Sequence, residues 1–299
     1  MSIRRKYEGM IQKDHLHPGH LLCPGCSGAL ALRYILMALG KNTIGVTGAT
    51  CLNLPVSFYP RAIDIPSIFI SMASTAAGMS GISLALKVLK RKGRLPFKEK
   101  VTVFGLAGDG CTGDIGFAAV SGAAERNDDG IYFCFDNEAY MMTGAQRSSL
   151  TPKSAWTSST TAGKKEGKKD LPLIMADHGI PYVATVSVAY PEDFTRKVIR
   201  ARDIGEGFKY IHMMCPCPTG WRFPEDKTVE ISRLAVETGT WVLYEVVNGK
   251  KEVTYRPRQR RPVKDYVGKQ GRFSRFTEKD ISRLQKEVDQ RWKAFDEEG

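Results

Sequence analysis

The order of segments between residues 101 and 135 constrains the fold more than any other feature of the chain. Val101 to Ala107 (VTVFGLA) is a short, β-branched apolar run that ends in Gly108-Asp109-Gly110. Such a run reads as a buried strand. Ile115, Ala118, Ala119, Gly122 and Ala123 then recur at helical spacing until Asn127-Asp128-Asp129-Gly130 breaks the pattern, and Ile131 to Phe135 (IYFCF) reads as the next strand. Strand, glycine turn, helix and strand make a βαβ unit, which implies a parallel sheet with ligands at the carboxyl ends of its strands. The alternation continues through strands near Tyr182–Val188 and Phe208–Met213 and a helix from about Glu192 to Ala201; upstream lie helices at 27–39 and 74–88 around a strand at 43–46. The fold class expected is therefore α/β, a doubly wound, mostly parallel sheet. It spans 1–248. Residues 249–299 read as a basic C-terminal extension with Pro257 and Pro262, closing in a helix capped by Thr277 with Asp280 at the capping-box position.

Asp109 stands between glycines at the end of a buried strand, where the chain can approach a phosphate and a carboxylate can face a hard cation. Asn137 follows the next strand. Adjacent parallel strands bring their carboxyl ends together, so Asp109 and Asn137 can share one Mg²⁺ that bridges a diphosphate. Cys23-Pro24-Gly25-Cys26 puts two thiolates on a tight turn that opens a helix, a geometry that suits zinc as well as an iron–sulfur centre. Cys51 and the Cys215/Cys217 pair are the candidates for the remaining ligands. Cys111 adjoins the Asp109 motif, and Cys134 lies inside an apolar strand as a packing residue.

Length and charge exclude little but direct the rest. A chain of 299 residues buries a sizeable core without disulfide staples. No run of eighteen or more apolar residues appears, and Met1 to Lys13 carries basic residues with no apolar segment behind them, so neither a membrane span nor an export signal is expected and the location expected is cytoplasmic. Structural disulfides among the seven cysteines are then the least expected use of them. The net charge of +12 is concentrated in Lys164 to Lys169 and Lys250 to Arg275, without a nucleic-acid motif, so those stretches read as solvated loops or as a docking surface for an acidic protein such as a ferredoxin.

The segments GHLLCPGC, GATCLN, GDGCTGDIG, DNEAYMMTGAQRSS and CPTGW, in this order between His20 and Arg222, resemble the β subunit of pyruvate:ferredoxin oxidoreductase and its 2-oxoacid relatives, a thiamine-diphosphate-binding family. The resemblance implies the fold of the thiamine enzymes' pyrophosphate domain. It also implies that Asp109, the Asn137 side chain and the Ala139 carbonyl hold Mg²⁺, while Gly108, Gly110, Cys111 and Thr112 cradle the diphosphate. Cys23, Cys26, Cys51 and Cys217 would hold a 4Fe-4S cluster, with Cys215 a spare. His20 matches the family's Gly-His, as a neighbour of the cofactors or as a packing residue at helix entry, while His15 and His17 match nothing and are expected in solvent. Thr143, Gly144 and Gln146 would shape the active-site wall beside Met142, which stands where the family's pyruvate enzymes carry Asn. That change, with Ser71-Met72-Ala73-Ser74, points to a pocket altered from the pyruvate type, for a bulkier or aromatic 2-oxoacid, with pyruvate itself the leading substrate expected. The implied activity is oxidative decarboxylation of a 2-oxoacid, with single electrons passing to ferredoxin and the acyl group to coenzyme A. The implied partners are an α subunit with the pyrimidine domain, a γ-type subunit and a ferredoxin-like δ subunit, and the chain alone should be inactive. Two other readings compete: a non-redox thiamine-dependent decarboxylase or transferase subunit with structural zinc, and a non-enzymatic electron-transfer or nucleic-acid-binding module.

Overall fold

A computed structural model describes residues 14–96 and 99–297. The basic segment Met1–Lys13 lies outside the described residues. Eight strands among them form one sheet: β1 (Thr43–Thr47), β2 (Ser67–Phe69), β3 (Thr102–Gly108), β4 (Gly130–Asp136), β5 (Tyr182–Ser187), β6 (Phe208–Met214), β7 (Leu243–Val247) and β8 (Lys250–Tyr255). Their order is β2-β1-β3-β4-β6-β5-β7-β8. The first six are parallel, and β7 and β8 add antiparallel at one end. Every residue of the central strand β4 is buried, as a parallel strand covered on both faces requires.

Because side chains alternate along a strand, one face carries Phe104, Leu106, Ile131, Phe133, Phe135, Ile211 and Met213. Helix α1 (Ser27–Leu39) covers that face together with a helix at Pro191–Asp203. The other face carries Val103, Ala107, Tyr132, Cys134 and Tyr210 and is covered by α2 (Thr75–Arg91), α3 (Phe117–Glu125) and the short α4 (Leu171–Asp177). The helix at Pro191–Asp203 is α5, and α6 spans Thr228–Glu237. The doubly wound expectation holds, with Cys134 in the core.

The described residues of the C-terminal segment, 249–297, join this sheet. Strand β8 is its edge, and Val288, Trp292 and Phe295 of the terminal helix α7 (Glu278–Glu297) pack with Tyr244 and Val246. The capping box forms as expected: Asp280 N–H donates to Thr277 Oγ1 at 3.3 Å and Thr277 N–H to Asp280 Oδ2 at 3.0 Å. Met72–Arg91 is long and apolar enough, by length and composition, to cross a membrane; here it lies on β1 and β3 and buries Ala76, Met79 and Ser83.

Two expectations of exposed loops are corrected. In the 164–169 run, Lys164 is 2% exposed and donates to the carbonyls of Ser149, Thr151 and Gly167. Lys168 and Lys169 also turn inward, to Asp136 and Glu138 and to the Gly113 carbonyl. Long aliphatic stems allow lysine heads to reach buried acceptors that a hydropathy pattern does not reveal. His15 is buried and His17 is half-exposed, both facing Asp64. The antiparallel bridge between Leu16 and Ile63 brings the two segments together.

Candidate functional site

Four neighbouring strands, β1, β3, β4 and β6, end side by side, and the loop leaving each carries residues the sequence singles out. Register sets this: Gly108 lies opposite Phe135, and Asp136 opposite Met214. The loops therefore bring Cys51, Asp109, Asn137 and Cys217 to one edge of the sheet, where an open α/β sheet binds ligands.

Asp109 is 1% exposed, and Ser148 Oγ donates to its Oδ2 at 2.5 Å. Burial and the nearby Asp136 push its carboxyl well above the usual range. A buried carboxylate is costly unless hydrogen bonds or a cation compensate it. The Asn137 amide oxygen is oriented toward two acceptors, 3.0 Å from Asp109 Oδ1 and 2.8 Å from the Ala139 carbonyl; with the amide reversed, its nitrogen donates to both. Octahedral Mg²⁺ at about 2.05 Å from its ligands spaces adjacent oxygens about 2.9 Å apart. Two separations, Asn137 to Asp109 and Asn137 to the Ala139 carbonyl, match that spacing. Among the described residues no three His, Cys, Asp or Glu side chains gather as a metal site, which a hard cation held by carboxylate, amide and carbonyl oxygens does not require.

The chain after Asp109 winds through a π turn at Cys111–Ile115 into α3. Its opening amides give the anion-binding character of a helix start. Thr112 Oγ1 donates to the Gly108 carbonyl at 2.8 Å, and the Cys111 thiol to the Met72 carbonyl at 2.7 Å, so these side chains brace the turn and leave the backbone to face a ligand. A Cβ on Gly110 would sit 2.4 Å from the Tyr140 ring. Gly110 thus admits Tyr140, whose hydroxyl donates to its carbonyl at 2.9 Å, as well as freeing the backbone.

The loop Asn137-Glu138-Ala139 has Glu138 in the left-handed region at φ 64°. Lys168 Nζ bridges Asp136 Oδ2 (2.7 Å) and Glu138 Oε1 (2.6 Å), Arg272 meets Glu138 Oε2 at 2.6 Å, and His212 meets Asp136 at 2.8 Å. A cavity of about 510 Å³ opens behind this loop, between the sheet and α7, reaching Glu138, Lys168, His212 and Trp241. Past the loop, Thr143 Oγ1 donates to Gln146 Oε1 and Gln146 Nε2 to the Thr143 carbonyl, both at 2.6 Å, closing a turn that leaves Met142 52% exposed.

The thiols of Cys23, Cys26, Cys51 and Cys217 lie within electrostatic reach of one another. Burial pushes Cys26 up to about 11 and Cys51 to about 12, and the Gly28 and Ala29 amides pull Cys26 partly back. Cys217 caps the helical turn Pro218–Trp221, its Sγ accepting from Gly220 N–H at 3.4 Å. Ser27 Oγ donates to the Pro216 carbonyl at 2.8 Å, tying the start of α1 to this loop. Cys215 lies in the core at 0% exposure. His20 Nδ1 accepts from Leu22 N–H at 3.2 Å, bracing the turn before Cys23.

Sequence reasoning overlooked Ser148, Asp136, Lys168, His212 and Arg272. Trp221 was legible only as part of CPTGW, although its indole Nε1 donates to the Asn137 carbonyl at 2.7 Å.

Residues 44–213 match the thiamine pyrophosphate enzyme C-terminal TPP binding domain. The chain is 48% identical over 284 residues to the pyruvate synthase subunit PorB of Methanothermobacter marburgensis, covering 93% of this chain and 96% of that protein. It is 44% identical to the ketoisovalerate oxidoreductase subunit VorB of Pyrococcus furiosus, covering 94% and 92%. Among solved structures, the 2-oxoglutarate:ferredoxin oxidoreductase of Magnetococcus marinus, with 2-oxoglutarate, coenzyme A and succinyl-CoA bound, shares the fold at TM-score 0.59 and 20% identity over 74% of this chain and 79% of that one.

Proposed function

The chain belongs to the thiamine-diphosphate-binding β subunits of 2-oxoacid:ferredoxin oxidoreductases, and on that premise we propose that it holds Mg²⁺–thiamine diphosphate at Asp109, Asn137 and Ala139 and a 4Fe-4S cluster at Cys23, Cys26, Cys51 and Cys217. The observation that carries the first assignment is the buried Asp109 carboxyl, with the Asn137 amide 3.0 Å from it and 2.8 Å from the Ala139 carbonyl. The second is supported by four half-buried or exposed thiols at the same sheet edge, with Cys215 sealed in the core. Thiamine diphosphate supplies an electron sink for decarboxylation of a 2-oxoacid, and the cluster an acceptor for single electrons.

The chain's own contribution is positioning. Ser148 and the opening of α3 orient Asp109 and present amides to the diphosphate. Lys168 and Arg272 hold the carboxylates that flank Asn137, so the ligand loop keeps one shape. Coenzyme A as acyl acceptor and ferredoxin as external acceptor complete the reaction. The substrate is pyruvate or a bulkier 2-oxoacid, with exposed Met142 on the altered wall next to Thr143 and Gln146.

The complex with α, γ and δ subunits is supported by an asymmetry between the two sheet edges. β8 opens with Lys250-Lys251-Glu252, charges that discourage strand addition, whereas β2 exposes Ile68 and Phe69, and Phe58, Tyr59 and Leu84 are also exposed. We assign the β2 and α2 side to the pyrimidine-domain subunit, with residues 249–299 an extension that seals the opposite side. Seven cysteines with no disulfide among the described residues suit a reducing, cytoplasmic setting.

The test is an anaerobically purified complex mixed with coenzyme A and either pyruvate, 2-oxoisovalerate or phenylpyruvate. The reading expects substrate-dependent bleaching of the visible cluster absorbance, with a bulkier acid competing with pyruvate. Bleaching confined to pyruvate would remove the altered-pocket proposal, and zinc in place of iron would favour the non-redox thiamine enzyme.

A further inference from the structure

We infer that Trp221 is a positioning residue that joins the loop bearing Cys217 to the loop bearing Asn137 and Ala139, so that the cluster site and the Mg²⁺–diphosphate site move as one unit. The inference rests on the cofactor assignments proposed above.

Two independent contacts tie the loops. The first is the Trp221 Nε1–H donation to the Asn137 carbonyl at 2.7 Å, from a side chain at 0% exposure. Asn137 is itself buried, so its carbonyl has no solvent to replace that donor. The second is steric: a Cβ on Gly220 would lie 2.1 Å from Met141 Sδ, so the metal-side loop is packed directly against the turn that Cys217 caps. A cavity of only about 10 Å³ remains between Glu138, Ala139, Met141, Gly220, Trp221 and Arg272, room for no more than a single water.

That turn is rigid. Trp221 N–H donates to the Cys217 carbonyl at 2.8 Å, and Gly220 N–H to the Cys217 sulfur. Arg272 braces it from the far side, its guanidinium 3.5 Å from the Trp221 ring centroid while ion-paired to Glu138, the residue between the two metal-binding positions. Stacking and pairing at once need a planar guanidinium. A displacement of Cys217 is thereby carried through one helical turn into the Asn137 carbonyl and Glu138. Linkage is reciprocal: if the state of the cluster loop alters affinity at the metal loop, binding at the metal loop alters the cluster by the same factor.

The experiment uses the anaerobic complex and its Trp221→Phe variant, which keeps the aromatic packing and removes the donor. Calorimetry with Mg²⁺ and thiamine diphosphate reads affinity, and electron paramagnetic resonance of the reduced complex before and after adding thiamine diphosphate reads the cluster. The inference expects W221F to weaken thiamine diphosphate binding on the order of tenfold and to lose the spectral change that binding produces in the parent, with iron content unchanged. Gly220→Ala and Arg272→Lys perturb the same junction without removing the indole and should each weaken binding several-fold and diminish the spectral change, so a W221F that fails to assemble leaves the test intact. Parent-like affinity together with a parent-like spectral change in the variants overturns the inference, as does a parent whose cluster spectrum does not respond to thiamine diphosphate. A parent that binds thiamine diphosphate but lacks the iron overturns the cluster assignment itself, which iron analysis distinguishes from failure of the coupling.

Discussion

Replacing Lys168 by methionine separates the buried-network account of the 164–169 segment from the surface-loop reading its composition suggests. Lys168 Nζ lies 2.7 Å from Asp136 and 2.6 Å from Glu138, and those carboxylates are 0% and 8% exposed. Methionine keeps the stem and removes the charge. Among the described residues, the ion-pair partners left to the two carboxylates are then His212 for Asp136 and Arg272 for Glu138. Breaking a buried ion pair by removing one partner costs about 3–5 kcal/mol; the Lys168 side chain is 27% exposed, so the lower end, about 3 kcal/mol, is expected. For a chain of this size that lowers Tm by about 5 °C. Thermal denaturation of the purified complex measures it, and the double variant Lys168→Met with Glu138→Gln should recover part of the loss because the pair is coupled. A fall below about 1 kcal/mol, the range of exposed pairs, would refute the buried network.

Acid stability follows from the same cluster. Burial opposes ionisation of Asp136, but Lys168 and His212 prevail and hold its carboxyl at about 2, below its ordinary 3.8. A depressed carboxylate stabilises the fold above pH 3.8 and that contribution, on the order of 2 kcal/mol, is lost as pH falls toward 2; an acid titration followed by circular dichroism should move to higher pH in K168M. Cys217→Ala should lose the cluster iron while Cys215→Ala retains it, read by iron analysis of anaerobic preparations. The pair Ile68→Glu and Phe69→Glu should weaken subunit assembly in light scattering, whereas Lys250→Glu on the opposite edge should not.

The βαβ unit was legible because β3 and β4 are continuous apolar runs punctuated by glycine and Asp/Asn, signals that local physics makes strong. Helix α1 and the Thr277 cap were legible for the same reason. Asp109 and Asn137 came from the rule that neighbouring parallel strands end together, and the structure puts Asn137 against Asp109 and Ala139. Arg272 and Lys168 were not legible. Their sequence setting is a run of cations, and only tertiary contact with Glu138, distant in sequence, distinguishes them from solvated charge. The edge strands were also hidden: β2 has three residues, too few for a periodic signal, and β8 alternates charges with Val253 and Tyr255 in a segment that reads as a basic tail.

The most direct test of the account is a crystal structure of the anaerobically purified complex with Mg²⁺ and thiamine diphosphate, with anomalous data collected at the iron and zinc edges. The account predicts an iron signal enclosed by Cys23, Cys26, Cys51 and Cys217, and a Mg²⁺ bound by Asp109, Asn137 and the Ala139 carbonyl with the diphosphate at the opening of α3. A zinc signal at the cysteines, or a diphosphate bound away from Asp109, would contradict it.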